Sequence, residues 1–186
     1  TSATDTADIT TRTLTVNLTG DKRVDDGTTD ATISSTDDRV SGDNLALDYT
    51  AAFSDPNVGN GKSISVTGIS LLGRDAGNYS VASTGSTTAN ITARSLTVTA
   101  DASDKVYDGN TTASVTYSDN RISGDDVSVS GTATFDNENV GSGKTVSISS
   151  ISLSGDDASN YTVNSTASDT ASITARALTL NGFSIA

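Results

Sequence analysis

The chain repeats itself at a fixed spacing. The string Ile9-Thr10-Thr11-Arg12-Thr13-Leu14-Thr15-Val16 returns as Ile91-Thr92-Ala93-Arg94-Ser95-Leu96-Thr97-Val98, and again as Ile173-Thr174-Ala175-Arg176-Ala177-Leu178-Thr179-Leu180. Arg12, Arg94 and Arg176 stand 82 residues apart each time, with no insertion or deletion. The landmarks between the anchors keep the same offset. Asp26-Gly27 matches Asp108-Gly109, Arg39-Val40-Ser41-Gly42-Asp43 matches Arg121-Ile122-Ser123-Gly124-Asp125, and Asn57-Val58-Gly59 with Gly61-Lys62 matches Asn139-Val140-Gly141 with Gly143-Lys144. One fold is therefore present twice, over 11–92 and 93–174. Residues 1–10 read as the end of a preceding repeat and 175–186 as the start of a following one, so the chain is expected to be a segment of a longer array.

Period-two alternation points to strands. Leu96, Val98 and Ala100 alternate with Ser95, Thr97 and Thr99, which predicts one half-buried opening strand. Val127, Val129, Ala133 and Phe135 share a parity, as do Leu45, Leu47, Tyr49, Ala51 and Phe53. A parity switch follows in both copies, at Thr67-Gly68 and at Ser149-Ser150, where either a β-bulge or a tight turn would keep both halves facing the core. A last strand runs from Tyr161 and Val163 toward Ile173, and no Gly or Pro separates it from the next unit, which predicts a stiff joint.

Composition narrows the class. Only 33% of the residues are apolar, while Ser and Thr make about a third, so any core is thin and drawn from alternating positions. Glu138 is the one glutamate among 23 acidic residues; the rest are aspartates, which favour turns over helices. These features predict an all-β chain of two tandem immunoglobulin-like β-sandwich repeats in an elongated arrangement, with a β-grasp-like fold or an elongated sheet as alternatives. The net charge of −12 and the scattered four Lys and seven Arg argue against nucleic acid and anionic membranes as partners. No apolar run approaches membrane-spanning length, so direct insertion is not expected.

The segment Lys105-Val106-Tyr107-Asp108-Gly109-Asn110-Thr111-Thr112-Ala113 is followed by Val140-Gly141, Gly143-Lys144, Leu153, Gly155, Asp157-Ala158, Asn160-Tyr161 and Ile173-Thr174. Together they resemble the YDG repeat of large bacterial secreted proteins, including filamentous-haemagglutinin-like adhesins. The first copy carries Asp25 where the tyrosine of the tripeptide stands, so that aromatic ring is not needed for the fold. The resemblance implies an extracellular location on the bacterial cell surface and a repetitive, spacing role. It implies no chemistry.

The residues agree on that last point. Without His or Cys the usual general bases and nucleophiles are missing, so no enzyme is expected. No cofactor is expected either, with calcium as the one candidate, because clustered Asp and Asn at loops supply hard oxygen ligands. The candidate ligands are Asp125, Asp126, Asp136 and Glu138, although Pro56 replaces Glu138 in the first copy. Lys62 and Lys144 follow matched glycine turns and are candidates for an intramolecular isopeptide link to Asn or Asp, against the plain reading of surface ion pairs. Six Asn-x-Ser/Thr sequons, at Asn17, Asn78, Asn90, Asn110, Asn160 and Asn164, barely exceed what this composition gives by chance. Tyr107 and Tyr117 have no aromatic counterpart in the first copy, and packing in the core is the preferred reading for both.

The expected role is a structural spacer, a stalk that projects a binding region of an adhesin in adhesion or biofilm formation. Its partners would be neighbouring repeats, with the fragment itself a monomer. The alternative is an adhesive module whose repeats touch carbohydrate, host protein or identical repeats.

Overall fold

A computed structural model describes residues 3–179 and Gly182. The rest of the flanking segments that were read as pieces of neighbouring repeats lies outside the described residues. The chain divides into two compact units, Thr1–Ala93 and Arg94–Ala186. Both are all-β, with single 3-10 turns at Ala76–Asn78 and Ala158–Asn160.

The first unit comprises β1 (Arg12–Thr13), β2 (Val16–Gly20), β3 (Arg23–Val24), β4 (Ile33–Asp37), β5 (Ala46–Phe53), β6 (Gly59–Leu72), β7 (Tyr79–Ser80) and β8 (Thr84–Thr92). The second repeats them as β9 (Arg94–Leu96), β10 (Thr99–Ala102), β11 (Lys105–Val106), β12 (Val115–Ser118), β13 (Ser128–Phe135), β14 (Gly141–Ser154), β15 (Tyr161–Val163) and β16 (Ala167–Thr174). In each unit a four-stranded sheet, β3-β8-β6-β5 or β11-β16-β14-β13, accompanies a two-stranded antiparallel ribbon, β2-β4 or β10-β12. The sheet is mixed, because β3 and β11 run parallel to β8 and β16. A second short parallel pair joins β1 to β7 and β9 to β15.

Alternation puts the apolar residues of the long strands on one face. In the first unit Ile64, Val66, Ile69, Ala89 and Ile91 pack with Phe53 and with Ile33 from the ribbon. Leu14, Leu45 and Tyr79 form a separate small cluster. In the second unit the equivalent residues make a single cluster, running from Leu96 and Val98 through Val146, Ile148 and Ile151 to Tyr161 and Ile173.

The opening strand departs from expectation. Leu96 and Val98 are both buried, yet the strand changes partner between them and Thr99. It leaves its parallel pairing with β15 and begins an antiparallel pairing with β12. Side chains hold the backbone at the switch: Thr97 N–H donates to Asn120 Oδ1 and Val98 N–H to Asn164 Oδ1, both at 2.8 Å. Burial keeps alternating through the switch, with Ser95, Thr97 and Thr99 exposed between Leu96, Val98 and Ala100, so the pattern in the sequence gives no sign of it.

The parity switches are bulges within continuous strands, not turns. Gly68 and Ile69 on β6 oppose Tyr49 on β5, and Ser150 and Ile151 on β14 oppose Gly131 on β13. The extra residue sits in the left-handed region, with φ of 65° at Gly68 and 56° at Ser150. Ile69 and Ile151 are thereby turned back into the core at 7% and 6% exposure.

Candidate functional site

The chemistry-bearing side chains gather at three turns, and each turn is built the same way in both units. The first is the Asp-Gly turn. Asp108 Oδ1 accepts from Asn110 N–H at 3.2 Å and Asp26 Oδ1 from Thr28 N–H at 2.9 Å, the short-range bond by which Asp favours turns. The following glycine has φ of 79° at Gly109 and 76° at Gly27, a conformation that costs glycine little.

A cation three residues before that aspartate closes the loop. Lys105 Nζ donates to the carbonyls of Asn110 (2.9 Å) and Thr112 (3.0 Å), pairs with Asp108 at 2.7 Å, and lies 5.7 Å from the Phe135 ring centroid. Arg23 does the same in the first unit, bonding the carbonyls of Thr28 and Asp30, pairing with Asp26 at 3.0 Å and lying 5.2 Å from the Phe53 centroid. The Lys105 contact holds the Asp108 carboxyl below the usual carboxylate range; for Asp26 the bond from Thr28 N–H does so first. Sequence reasoning missed this cation, although Arg23 and Lys105 stand at the same repeat position.

The residue before the Asp-Gly pair differs. Tyr107 is 39% exposed, so the core packing expected for it is not found; the two-residue β11 ends before it and aims it outward. Asp25 is only 2% exposed, with Oδ1 accepting from Gly27 N–H at 3.1 Å and Oδ2 without a partner. Tyr117, by contrast, packs against the core as expected.

The second turn precedes the long strand. Tyr161 Oη donates to Asp125 Oδ2 at 2.5 Å and accepts from Ile122 N–H at 2.9 Å. Tyr79 makes the same two bonds to Asp43 and Val40 at the same distances. Arg121 joins Asp119 to the Val127 carbonyl, and Arg39 joins Asp37 to the Leu45 carbonyl. Hydrogen bonds from these arginines hold Asp119 and Asp37 below the usual carboxylate range, while the bond to Asp43 pushes the Tyr79 hydroxyl up.

At the third turn, after the long strand, Lys144 Nζ lies 2.7 Å from Asp136 Oδ1 and 2.8 Å from Asn137 Oδ1, and Lys62 pairs with Asp55. The lysine stems are largely buried and both carboxyls are lowered, by hydrogen bonds from Lys144 and Lys62 respectively. These are ammonium–carboxylate pairs. Their geometry is that of the plain reading, ion pairs, with the Asn137 carboxamide also beside Lys144.

The four calcium candidates do not converge. Asp125 and Asp126 precede β13 whereas Asp136 and Glu138 follow it, and an eight-residue strand separates the pairs by about 25 Å. Asp125 is engaged by Tyr161 and Asp136 by Lys144, while Asp126 holds Asp157 through its backbone and Glu138 is exposed. Among the described residues no three His, Cys, Asp or Glu side chains gather in a way that could hold a metal ion.

The two units also differ at the position of Ala82. The first unit has a groove lined by Leu14, Val16, Leu18, Ile69, Val81, Ala82, Thr84 and Gly85, between its two apolar clusters. In the second unit Asn164 stands at the position of Ala82, its carboxamide accepting from Val98 N–H (2.8 Å) and donating to the carbonyls of Val98 (3.1 Å) and Thr166 (2.8 Å).

The model of one protein family, described as the YDG domain, matches residues 10–89 and again residues 92–182. No curated protein and no solved structure matches the chain.

Proposed function

The chain belongs to the YDG domain family, which it matches twice, and on that premise we propose that its repeats are structural spacers. They form part of the stalk of a bacterial cell-surface or secreted adhesin, hold its binding region away from the cell in adhesion or biofilm formation, and perform no catalysis. Each repeat in this reading is a small immunoglobulin-like sandwich, the repeats follow one another in an elongated array, and neither calcium nor a cofactor is required. The fragment is monomeric, and its natural neighbours are further repeats of the same kind.

A single observation carries the proposal: the polar side chains repeated in both units are spent on their own turns. Lys105 and Arg23, Tyr161 and Tyr79, Arg121 and Arg39, and Lys144 and Lys62 each fasten a loop to itself or to a nearby strand. Such fastening preserves the shape of a domain and, among the described residues, leaves these recurring groups turned to one another and not to a ligand. The Asp-dominated, Ser/Thr-rich surface suits a soluble array, since self-repulsion discourages association of strand edges.

Small-angle X-ray scattering over a concentration series, with calcium and then with chelator, tests the reading. A spacer gives extended dimensions that depend on neither concentration nor ion. Growth of apparent mass with concentration would replace it with the alternative, an adhesive module that binds identical repeats.

A further inference from the structure

The groove of the first unit carries polar backbone as well as apolar walls. Strand β2 bonds to β4 through alternate residues, with Asp21 N–H donating to the Thr32 carbonyl at 3.0 Å and Thr15 N–H to the Asp38 carboxylate at 2.8 Å. In an antiparallel ladder the intervening residues turn their N–H and C=O to the opposite side. Val16 therefore presents both groups away from β4, toward the groove it lines, and neither meets a partner among the described residues. The second unit displays what chemistry satisfies the same two atoms: on Val98 both are taken by one carboxamide, that of Asn164. In the first unit Ala82 is too short to reach them.

We propose that this groove is a binding slot for an asparagine side chain presented by an extended segment of a partner protein. Its amide oxygen accepts from Val16 N–H, its NH2 donates to the Val16 carbonyl, and its stem lies against Leu14, Val81 and Ala82. Thr84, the counterpart of Thr166, lines the same groove and offers the NH2 group a second acceptor. A carboxylate does not fit, because it has no hydrogen to give and would set its charge against the Val16 carbonyl. A side chain that bonds both backbone groups at once while covering the apolar wall gains over solvent there. The proposal stands apart from the spacer reading, since a stalk repeat can carry such a slot or lack one.

The experiment is a titration of the 186-residue chain, followed residue by residue through its backbone amide NMR signals, with N-acetyl-asparagine N′-methylamide as probe. The expected result is saturable shifts at Val16, Ala82 and Thr84, with an affinity in the millimolar range fitting so small a ligand, and no shift at Val98. The aspartate analogue and N-acetylglucosamine are expected to leave these signals in place. Ala82→Asn, which fills the slot from within, abolishes the response, and Asn164→Ala opens a second slot that adds shifts at Val98 and Thr166. Absence of a saturable shift, an undiminished response in A82N, or an equal response to the sugar overturns the proposal. So does a concentration-dependent shift of the same amides without probe, which would make the occupant another copy of this chain.

Discussion

The two units keep one backbone over interiors that have exchanged parts. In the first, Tyr49 at the bulge of β5 reaches across to the ribbon and donates its hydroxyl to the Ile33 carbonyl at 3.1 Å. In the second, that bulge position is Gly131 and the tyrosine comes from the opposite side, as Tyr117 of β12; the first unit has Ser35 there. A β-carbon on Gly131 would lie 2.8 Å from Tyr117 Oη, so the space holds one ring, delivered from either wall. A second exchange follows the same rule. Leu18 lies over Gly85 in the first unit, with its Cδ1 2.7 Å from where a β-carbon would be, whereas Ala100 and Ala167 share the bulk in the second. At each site the residue on one wall limits the size of the one facing it, a constraint on pairs of residues and not on single ones.

Five tests would break or sharpen this comparison. The largest effect is expected from Gly131→Tyr, which places two rings in one space and should cost the second unit about 3 kcal/mol; adding Tyr117→Ser should recover most of it. Calorimetry of the two single variants and the double variant reads the coupling, and simple additivity would dismiss the exchange. Next, Asn164→Ala should cost the second unit about 2 kcal/mol by leaving Val98 N–H and C=O unpaired, while Ala82→Asn raises the melting temperature of the first. An unchanged denaturation midpoint in both would mean that water serves those groups equally well.

Smaller effects separate strain from packing. Ser150 holds at φ 56° a conformation that Gly68 adopts in the first unit, so Ser150→Gly should stabilise by about 1 kcal/mol and Gly68→Ser should destabilise by a similar amount. Tyr117 Oη is buried without a partner, so Tyr117→Phe should be neutral or stabilising, whereas Tyr49→Phe loses a bond. Urea titrations that rank these two the other way would show the orphan hydroxyl to be satisfied in solution. The smallest effect per residue is that of pH. The lowered carboxyls Asp26, Asp37, Asp55, Asp108, Asp119 and Asp136 have folded-state values below their unfolded value near 3.8. Their stabilisation is complete above that value and is lost as pH falls through the lower folded ones. Thermal melts should therefore be flat from neutral pH to about 5 and fall in both units together below about 4, since the clamped aspartates occur in both.

How much of this was legible follows from how each feature is written in the chain. The long strands and their bulges could be read because burial on one face forces a period of two, and an extra residue must shift it, as at Ile151 against Ile148. The partner switch at Thr97 and Val98 left the period intact and so was invisible. Asn164 looked like a chance sequon because its role depends on Val98, far away in sequence. Lys105 and Arg23 escaped notice because a turn needs only a cation with reach, which Lys and Arg both supply. The tyrosine exchange was half visible: Tyr117 against Ser35 could be compared by alignment, but its meaning required Gly131 and Tyr49 across the core.

The exchange also bears on inheritance. Tandem repeats in a gene recombine with one another, and a crossover that falls between the codons for the two tyrosine positions would build a hybrid domain. A hybrid opening like the first unit and closing like the second joins Ser35 to Gly131 and leaves a void the size of a phenol ring. The reciprocal product joins Tyr117 to Tyr49 and has nowhere to put the second ring. Viable recombinants therefore break outside that stretch, and the number of repeats can change readily while their interiors are passed on as intact blocks.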